Sequence, residues 1–600
     1  MRKMVLTTLV AVVATVAGAD RAAAQIEFEI SNLRPVSSAK VAHIHVGVIT
    51  ETPMGMPPLF GEAAQPMQEL LGRLKKARLD QGVEAVILDL NDARIGPAQM
   101  AEIRREIRKL TSAEKDVLVS MDSVNTMHYA LASAAQINIV PTGNVNLVGL
   151  YSRKPYIAGL LASLSIEPDF IHTGDYKTAA ETLTRTGPSE ESQQMTDWLY
   201  DSLYKTVVSY IAEGRGLTDD RVRELIDGGP YLAEEALSLG LIDTVQHQQD
   251  FIGHVLRNYG PIALNYGSGR NPFGDMPTDP FSMIGEVMKM LRGDPVQAPS
   301  GVRIAVIYID GAIQNGVGRA SLFGTQGAYS TTIRQAIDAA TKDGTIKAIV
   351  LRVNSPGGSA LASEVIWNAA KKASDCKPLV VSMGDVAASG GYYVSAPART
   401  IFVEPTTITG SIGVVGGKFV TTGGWSRLHI AWHSTQRGRH AGIYSSAARF
   451  SESERAKVLS HMGTIYENFK SRVTDGRGGK LTKPIDELAG GRVYTGTQAL
   501  ELGLADKIGG LADAIRHAAS EAGIRKYDTV TLPAPPTILD ALMGGGASGL
   551  SLSSSVIDKA LEEVSRIDPD GANAVKSSLS LVKTLSDEGV VTMMVPGTIE

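Results

Sequence analysis

A chain that repeats itself constrains its own fold more than any single motif does, because two copies of one pattern have to build two copies of one structure. "KVAHIHVGVITETP", beginning at Lys40, returns as "RIAVIYIDGAIQNG" at Arg303, and "AVILDLN" at Ala85 returns as "AIVLRVN" at Ala348, both 263 positions later. "YLAEEALSLGLID", ending at Asp243, returns as "YTGTQALELGLAD", ending at Asp506, at the same offset. Three matches in one order and one register divide the chain into an N-terminal repeat over 38–266 and a C-terminal repeat over 302–532. Between them, "GSGRNPFGDMPTDP" and "RGDPVQAPSG" are rich in Gly, Pro and Asp and mark 267–301 as a linker. A tail over 533–600 follows, with the Gly- and Ser-rich "MGGGASGLSLSSS" from Met543 and one amphipathic helix expected at 556–566; its role is not readable.

Each repeat alternates apolar β-branched runs with helical patterns. In the second repeat the runs fall at 304–309, 349–353, 379–382 and 401–403, and the helical segments at 361–372 and 452–473. Near-continuous apolar strands between helices indicate a sheet covered on both faces, hence an α/β fold. At 600 residues and 43% hydrophobic composition the chain has material for more than one core. A net charge of −5 with no long basic run leaves no electrostatic footprint for nucleic acid. Residues 1–24 combine a basic start, an apolar run over 4–19 and an Ala22-x-Ala24 step, which reads as an export signal or an N-terminal anchor. The single cysteine, Cys376, excludes an intramolecular disulfide. HExxH, CxxC and P-loop patterns are all missing, so neither a metal nor a cofactor is expected.

The two repeats differ where chemistry would sit. In "LRVNSPGGSALASE" Pro356, Gly357 and Gly358 predict a turn exposing backbone N–H groups at the start of the next helix, a cradle for a developing oxyanion. The first repeat has Ala93, Arg94 and Ile95 there. In "VAASGGYYVSAPA" Ser389 and Gly390 align with Asn125 and Thr126 of "DSVNTMHYALASA". Ser389 is therefore either a nucleophile kept accessible by small neighbours or part of a tight strand-to-helix turn. Conversely, "HTGDYKTAAE" carries Lys177 in the first repeat, opposite His440 in the second. A site that needs the serine, the glycine turn and the lysine must draw on both repeats.

Taken together, "NSPGGS", "AASGGYYVSAPA", "TITGSIGV", "YTGTQALELGLADKIGG" and "TGDYKTAAE" resemble the signal peptide peptidase A family in its long, duplicated protease IV form, over about 40–532. The resemblance implies two tandem copies of a Clp/crotonase-like domain built from repeated ββα turns. It implies Ser389 as nucleophile and Lys177 as general base, with Ser411 of "TGSIG" as an auxiliary near the lysine. It also implies an endopeptidase acting on hydrophobic peptides such as cleaved signal peptides, a membrane surface, a location on the periplasmic side of the inner membrane, and a homotetramer. Ser389 and Lys177 then lie on the same subunit or on neighbouring ones. The residue types suit the chemistry: serine is a weak nucleophile until a base takes its proton, and lysine is a base only when burial lowers its pKa. The N–H groups of Gly358 and Gly390 are the expected oxyanion donors.

Two other functions compete at this stage. A crotonase-like acyl-thioester enzyme would also use oxyanion-binding glycines, and a membrane-associated scaffold would suit a chain with one degenerate repeat. Only the peptidase predicts modification of Ser389 by a serine-directed phosphonate. Ser-x-x-Lys patterns at Ser37, Ser112, Ser202, Ser374 and Ser580 come without partner motifs and carry no assignment.

Overall fold

The computed structural model describes residues 40–53, 64–267, 301–318 and 327–534, with a few tail residues that include 590–593 and 598–599. The expected signal at 1–24, nearly all of the linker and all but Ser565 of the 556–566 helix lie outside the described residues. No described helix is long and apolar enough to cross a membrane.

The duplication is visible strand by strand. In the first repeat one sheet runs, edge to edge, Thr244–Val245, Gln136–Ile139, Asp116–Met121, Ala85–Asp89, Val41–His45 and Ile262–Ala263, with every neighbour parallel. In the second the equivalent path is Lys507–Ile508, Thr400–Val403, Leu379–Ala388, Ile346–Ser355, Arg303–Asp310 and Asp528–Leu532, again parallel, and Leu379–Ala388 also pairs parallel with Ile408–Gly410, which pairs antiparallel with Val493–Thr495. The expected α/β fold is thus present twice, each copy packing its own apolar core. The ββα turn appears as Ile346–Ser355, the short strand Gly357–Ser359 and the helix Ala360–Cys376.

The internal supports repeat as well. Tyr129 donates its hydroxyl to the Leu241 carbonyl at 2.7 Å, and Tyr392 donates to Leu504 at 2.8 Å. Arg215 reaches the Gly240 carbonyl and Asp243, as Arg477 reaches Gly503 and Asp506. The two tyrosine hydroxyls and Arg477 are buried and need their partners for that reason, while Arg215 makes the equivalent contacts nearer the surface.

Among the contacts that join the halves are the following three. The strand Glu167–Thr173 of the first repeat pairs antiparallel with Val414–Val420 of the second over seven residues. Arg352, fully buried, meets Glu51 at 2.7 Å and Glu102 at 2.6 Å, both from the first repeat. The helix Pro97–Thr111 points its N-terminus at Asp385, whose Oδ1 accepts from Ala98 N–H at 2.7 Å. A carboxylate at a helix N-terminus is favoured by the unpaired N–H groups there. Burial nevertheless pushes the Asp385 pKa up to about 7, with the neighbouring Glu51 charge adding to the rise.

Candidate active site

Ser389 sits between the end of the strand Leu379–Ala388 and the helix Gly390–Ser395, with φ 55° and ψ −114°. A side chain adopts such a conformation at a cost of order 1–3 kcal/mol, and only when the surroundings enforce it. Here its N–H donates to Gly410 at 2.7 Å and its carbonyl accepts from Tyr393 at 2.8 Å. A Cβ on Gly391 would stand 2.5 Å from the Ser355 carbonyl oxygen. The small residues thus close a tight turn, and that turn holds one hydroxyl at the head of a helix. Gly390 is the first residue of the helix, so its N–H has no partner in the helical ladder.

Lys177 follows the strand Glu167–Thr173, whose pairing with Val414–Val420 carries it to the second repeat. Its Nζ lies 2.7 Å from Ser389 Oγ, 3.0 Å from Ser411 Oγ and 3.1 Å from the Ser411 carbonyl oxygen. All three residues are buried: Ser389 is 0%, Lys177 1% and Ser411 2% exposed. Burial pushes the Lys177 pKa down from 10.5 to about 7. A neutral amine has two N–H bonds and one lone pair. With both N–H bonds donated to Ser411, the lone pair is left to accept the Ser389 hydroxyl proton, which is the arrangement a general base requires. Ser411 also has a positive φ of 52°, so both serines that meet Lys177 are held in the left-handed region.

Gly357 and Gly358 depart from the expected turn at a helix start. They form the short extended strand Gly357–Ser359, with φ of 100° and 155°, and the helix begins one residue later with Ser359 as its cap. The reason is proximity: a Cβ on Gly358 would lie 2.1 Å from the Ile313 carbonyl oxygen of the adjacent parallel strand. His440, opposite Lys177 in the alignment, is half-buried and lies with its Nε2 3.3 Å from Ser453 Oγ, not beside Ser389.

Two glycines that the motif reading passed over hold the lysine loop. Tyr176 N–H donates to the Gly490 carbonyl at 2.8 Å. Gly491, at φ 88°, lies so close that a Cβ there would be 2.4 Å from Lys177 N. The signal was the Gly-Gly pair just before the repeated "YTGTQALELGLAD", but it speaks only once the lysine is known to cross between repeats. Beside the lysine opens a cleft of about 500 Å³, lined among others by Tyr156, Leu199, Tyr200, Ile408 and Val493.

Residues 109–256 and 371–525 each match Peptidase family S49, one match per repeat. The chain is 29% identical to the chloroplastic serine protease SPPA of Arabidopsis thaliana over 488 residues, covering 80% of this chain and 70% of that one. It is 30% identical to Protease 4 of Salmonella typhi over 502 residues, covering 81% and 77% respectively. Protease 4 of Haemophilus influenzae is 29% identical over 458 residues, covering 74% and 71%.

Proposed function

From the premise that the chain belongs to peptidase family S49, we infer that it is an endopeptidase using Ser389 as nucleophile and Lys177 as general base. The observation that carries this reading is the 2.7 Å approach of Lys177 Nζ to Ser389 Oγ in a buried setting. Neutral Lys177 takes the hydroxyl proton as Oγ attacks the peptide carbonyl. The oxyanion accepts from backbone N–H groups, with Gly390 and Gly358 as the donors, each worth about 3 kcal/mol of transition-state stabilisation. The Lys177 ammonium returns its proton to the leaving amine, and water, activated by the same lysine, releases the acyl group. Ser411 keeps the amine oriented.

The substrates are apolar peptides, including signal peptides released at a membrane, in keeping with the aliphatic part of a mixed cleft wall, where Leu199, Ile408 and Val493 stand among polar residues such as Ser192, Gln193 and Asp197. The protein acts after export, on the periplasmic side of the inner membrane, as a homotetramer. Ser389→Ala and Lys177→Ala each lower kcat/KM by roughly 10⁴-fold or more on an apolar fluorogenic peptide. A fluorophosphonate labels Ser389 in the unaltered chain and not in Ser389→Ala, as read by mass spectrometry. Retained activity in either variant sinks the assignment. With both groups on one chain, mixing the two inactive variants restores nothing; recovery in mixed oligomers would move the pair across subunits.

A further inference from the structure

Two lysines line the cleft, and only one of them is accounted for by the proton transfer. Lys154 follows the strand Ser152–Arg153 and stands on the wall of the same cleft as Lys177 and Ser411. Its place relative to Lys177 is set by packing within the first repeat. Ile157 N–H donates to the Thr182 carbonyl at 2.7 Å. Ile157 and Leu161 share one apolar cluster with Ala179, Ala180 and Leu183, which come just after Lys177. Pro155 stiffens the step between Lys154 and that cluster. The segments carrying the two lysines are therefore locked to each other.

Their electrostatic situations differ. Lys177 spends its N–H bonds on Ser411. Lys154 is half-buried, and among the described residues its ammonium has neither a hydrogen-bond nor an ion-pair partner. Burial pushes its pKa down from 10.5, and the charge of Glu181 opposes the fall only in part. The carboxylates nearby are engaged elsewhere. Glu181 Oε2 accepts from Ser189 N–H at 3.1 Å, and Asp197, on the cleft wall, accepts from Gln193 Nε2 of its own helix at 2.7 Å. The tyrosines on the wall are satisfied as well, Tyr200 by Ser152 and Tyr156 by Ser192. A cation drawn partly out of water and left without an anion is unfavourable until a ligand supplies one.

We propose that Lys154 is a specificity-determining residue that binds a carboxylate of the peptide being cut, while Ser389 and Lys177 act on a bond elsewhere in the same peptide. The proposal rests on reading that pair as catalytic. The cleft, of about 500 Å³, suits a ligand of this kind: Leu199, Ile408 and Val493 meet its apolar side chains and the ammonium meets its carboxylate. Such a bond is charge-assisted, the stronger class of hydrogen bond, and a lysine with three rotatable donors accepts a carboxylate from many directions. A peptide offers a carboxylate in two ways, from an Asp or Glu side chain and from its C-terminal end. Apolar peptides have the second alone. An intact protein threaded through the cleft presents no chain end there, whereas every hydrolysed peptide bond leaves a new carboxylate. With the chain end as the ligand, the site favours peptides that an earlier peptide-bond hydrolysis has already released.

The test uses the full chain and apolar fluorogenic peptides in a series of lengths, each made with a free C-terminal carboxylate and as the amide. A further pair, both amidated, carries Glu or Gln at one position. For the length that reaches Lys154, the unaltered chain has a KM about tenfold lower for the acid than for the amide, with kcat alike, because the contact is made before and during the reaction. Lys154→Met keeps the apolar stem and brings the acid-to-amide ratio to about one, whereas Lys154→Arg keeps the charge and most of the preference. A merely structural disturbance moves acid and amide together and leaves the ratio as it was. A preference for Glu over Gln that Lys154→Met abolishes supports the carboxylate site with a side chain as its source. If Lys154→Met does not fold, Lys154→Arg and competitive inhibition of the unaltered chain by short apolar acids and amides read the same ratio. Equal KM for every acid and its neutral counterpart, or a preference that persists in Lys154→Met, overturns the proposal, and fluorophosphonate labelling of Ser389 in the same samples leaves the catalytic pair standing. A Ser389 that takes no probe in the unaltered chain instead overturns the reading of that pair, and the proposal with it.

Discussion

Ser389 and Asn125 occupy the same place in two copies of one fold, and their backbones have gone opposite ways. Asn125 has an ordinary extended conformation, φ −87° and ψ 172°, and its side chain accepts from His128 N–H at 2.9 Å, capping the helix Thr126–Ala132. Ser389 is at φ 55°, caps nothing, and directs its hydroxyl to a lysine from the other copy. Around them the supports are unchanged, as the pairs Tyr129/Tyr392 and Arg215/Arg477 show. The difference teaches where strain persists. Packing groups are kept in both copies because both cores need them, whereas at this position the positive φ is found only in the copy whose side chain meets the lysine. The first copy applies its freed helix end to joining, with the N-terminus of Pro97–Thr111 receiving Asp385 of the second.

If the copies act as one unit, their joint should be the most sensitive point in the molecule. Arg352→Met leaves Glu51 and Glu102 buried at 3% exposure each without their cation. Breaking a buried ion pair from one side costs about 3–5 kcal/mol, and chemical denaturation should show it as a large drop in midpoint. Arg352→Met combined with Glu51→Gln and Glu102→Gln removes the stranded charges and recovers most of the loss. A small effect of Arg352→Met alone would mean that the halves are held by other contacts.

The lysine loop is the next most sensitive point. Gly491→Ala forces a Cβ toward Lys177 N at 2.4 Å, at a φ of 88° that alanine adopts poorly. The loop has to shift, and displacing a catalytic group by about 1 Å costs on the order of 10²-fold. The expected loss is therefore in kcat, with a displaced pH profile, and with the apparent Kd for a competitive peptide nearly unchanged. Gly216→Ala, at a helix end of the first repeat with open space around it, is the control; activity falling equally there would remove the special place of the loop.

The proton on Lys177 sets a smaller and graded effect. Its folded pKa of about 7 lies below the unfolded value of 10.5, so the base is neutral and competent above about 7. Below that, kcat/KM falls tenfold per pH unit. Between the two values the unfolded chain holds a proton that the folded site does not, so this group's contribution to stability rises with pH across that window. A kcat/KM profile flat from pH 5 to 9 would contradict a lysine base.

Much of this was legible from the sequence because it was written twice. The offset of 263 placed the strands of both sheets, and the mismatch of Ser389 with Asn125 and of Lys177 with His440 singled out the two residues that the fold brings to 2.7 Å of each other. What stayed hidden depends on contacts between residues far apart. Arg352 read as one polar residue in an apolar strand, and nothing local names Glu51, 301 positions earlier, as its partner. Gly490 and Gly491 looked like a turn, and their approach to Lys177 arises only when Glu167–Thr173 adds to the second repeat. Val590–Met593 is four residues long, too short for a period-two pattern to speak, and its partners are edges that exist only after both repeats have folded.

The smallest effects separate the two elbows most cleanly. Asn125→Ala removes a helix cap worth about 1 kcal/mol, which lowers Tm by a few degrees in a domain of this size, while kcat/KM stays as it was because the exposed Asn125 side chain serves the end of its own helix. At Ser389 the axes are reversed. Ser389→Gly abolishes activity but relieves the positive-φ strain, so its Tm stays level or rises by a similar few degrees. Two substitutions at equivalent positions thus move different observables, one stability without activity and the other activity without a loss of stability. If Asn125→Ala lowers kcat/KM along with Tm, the first elbow is coupled to catalysis after all, and the division of labour between the copies is less complete than their backbones indicate.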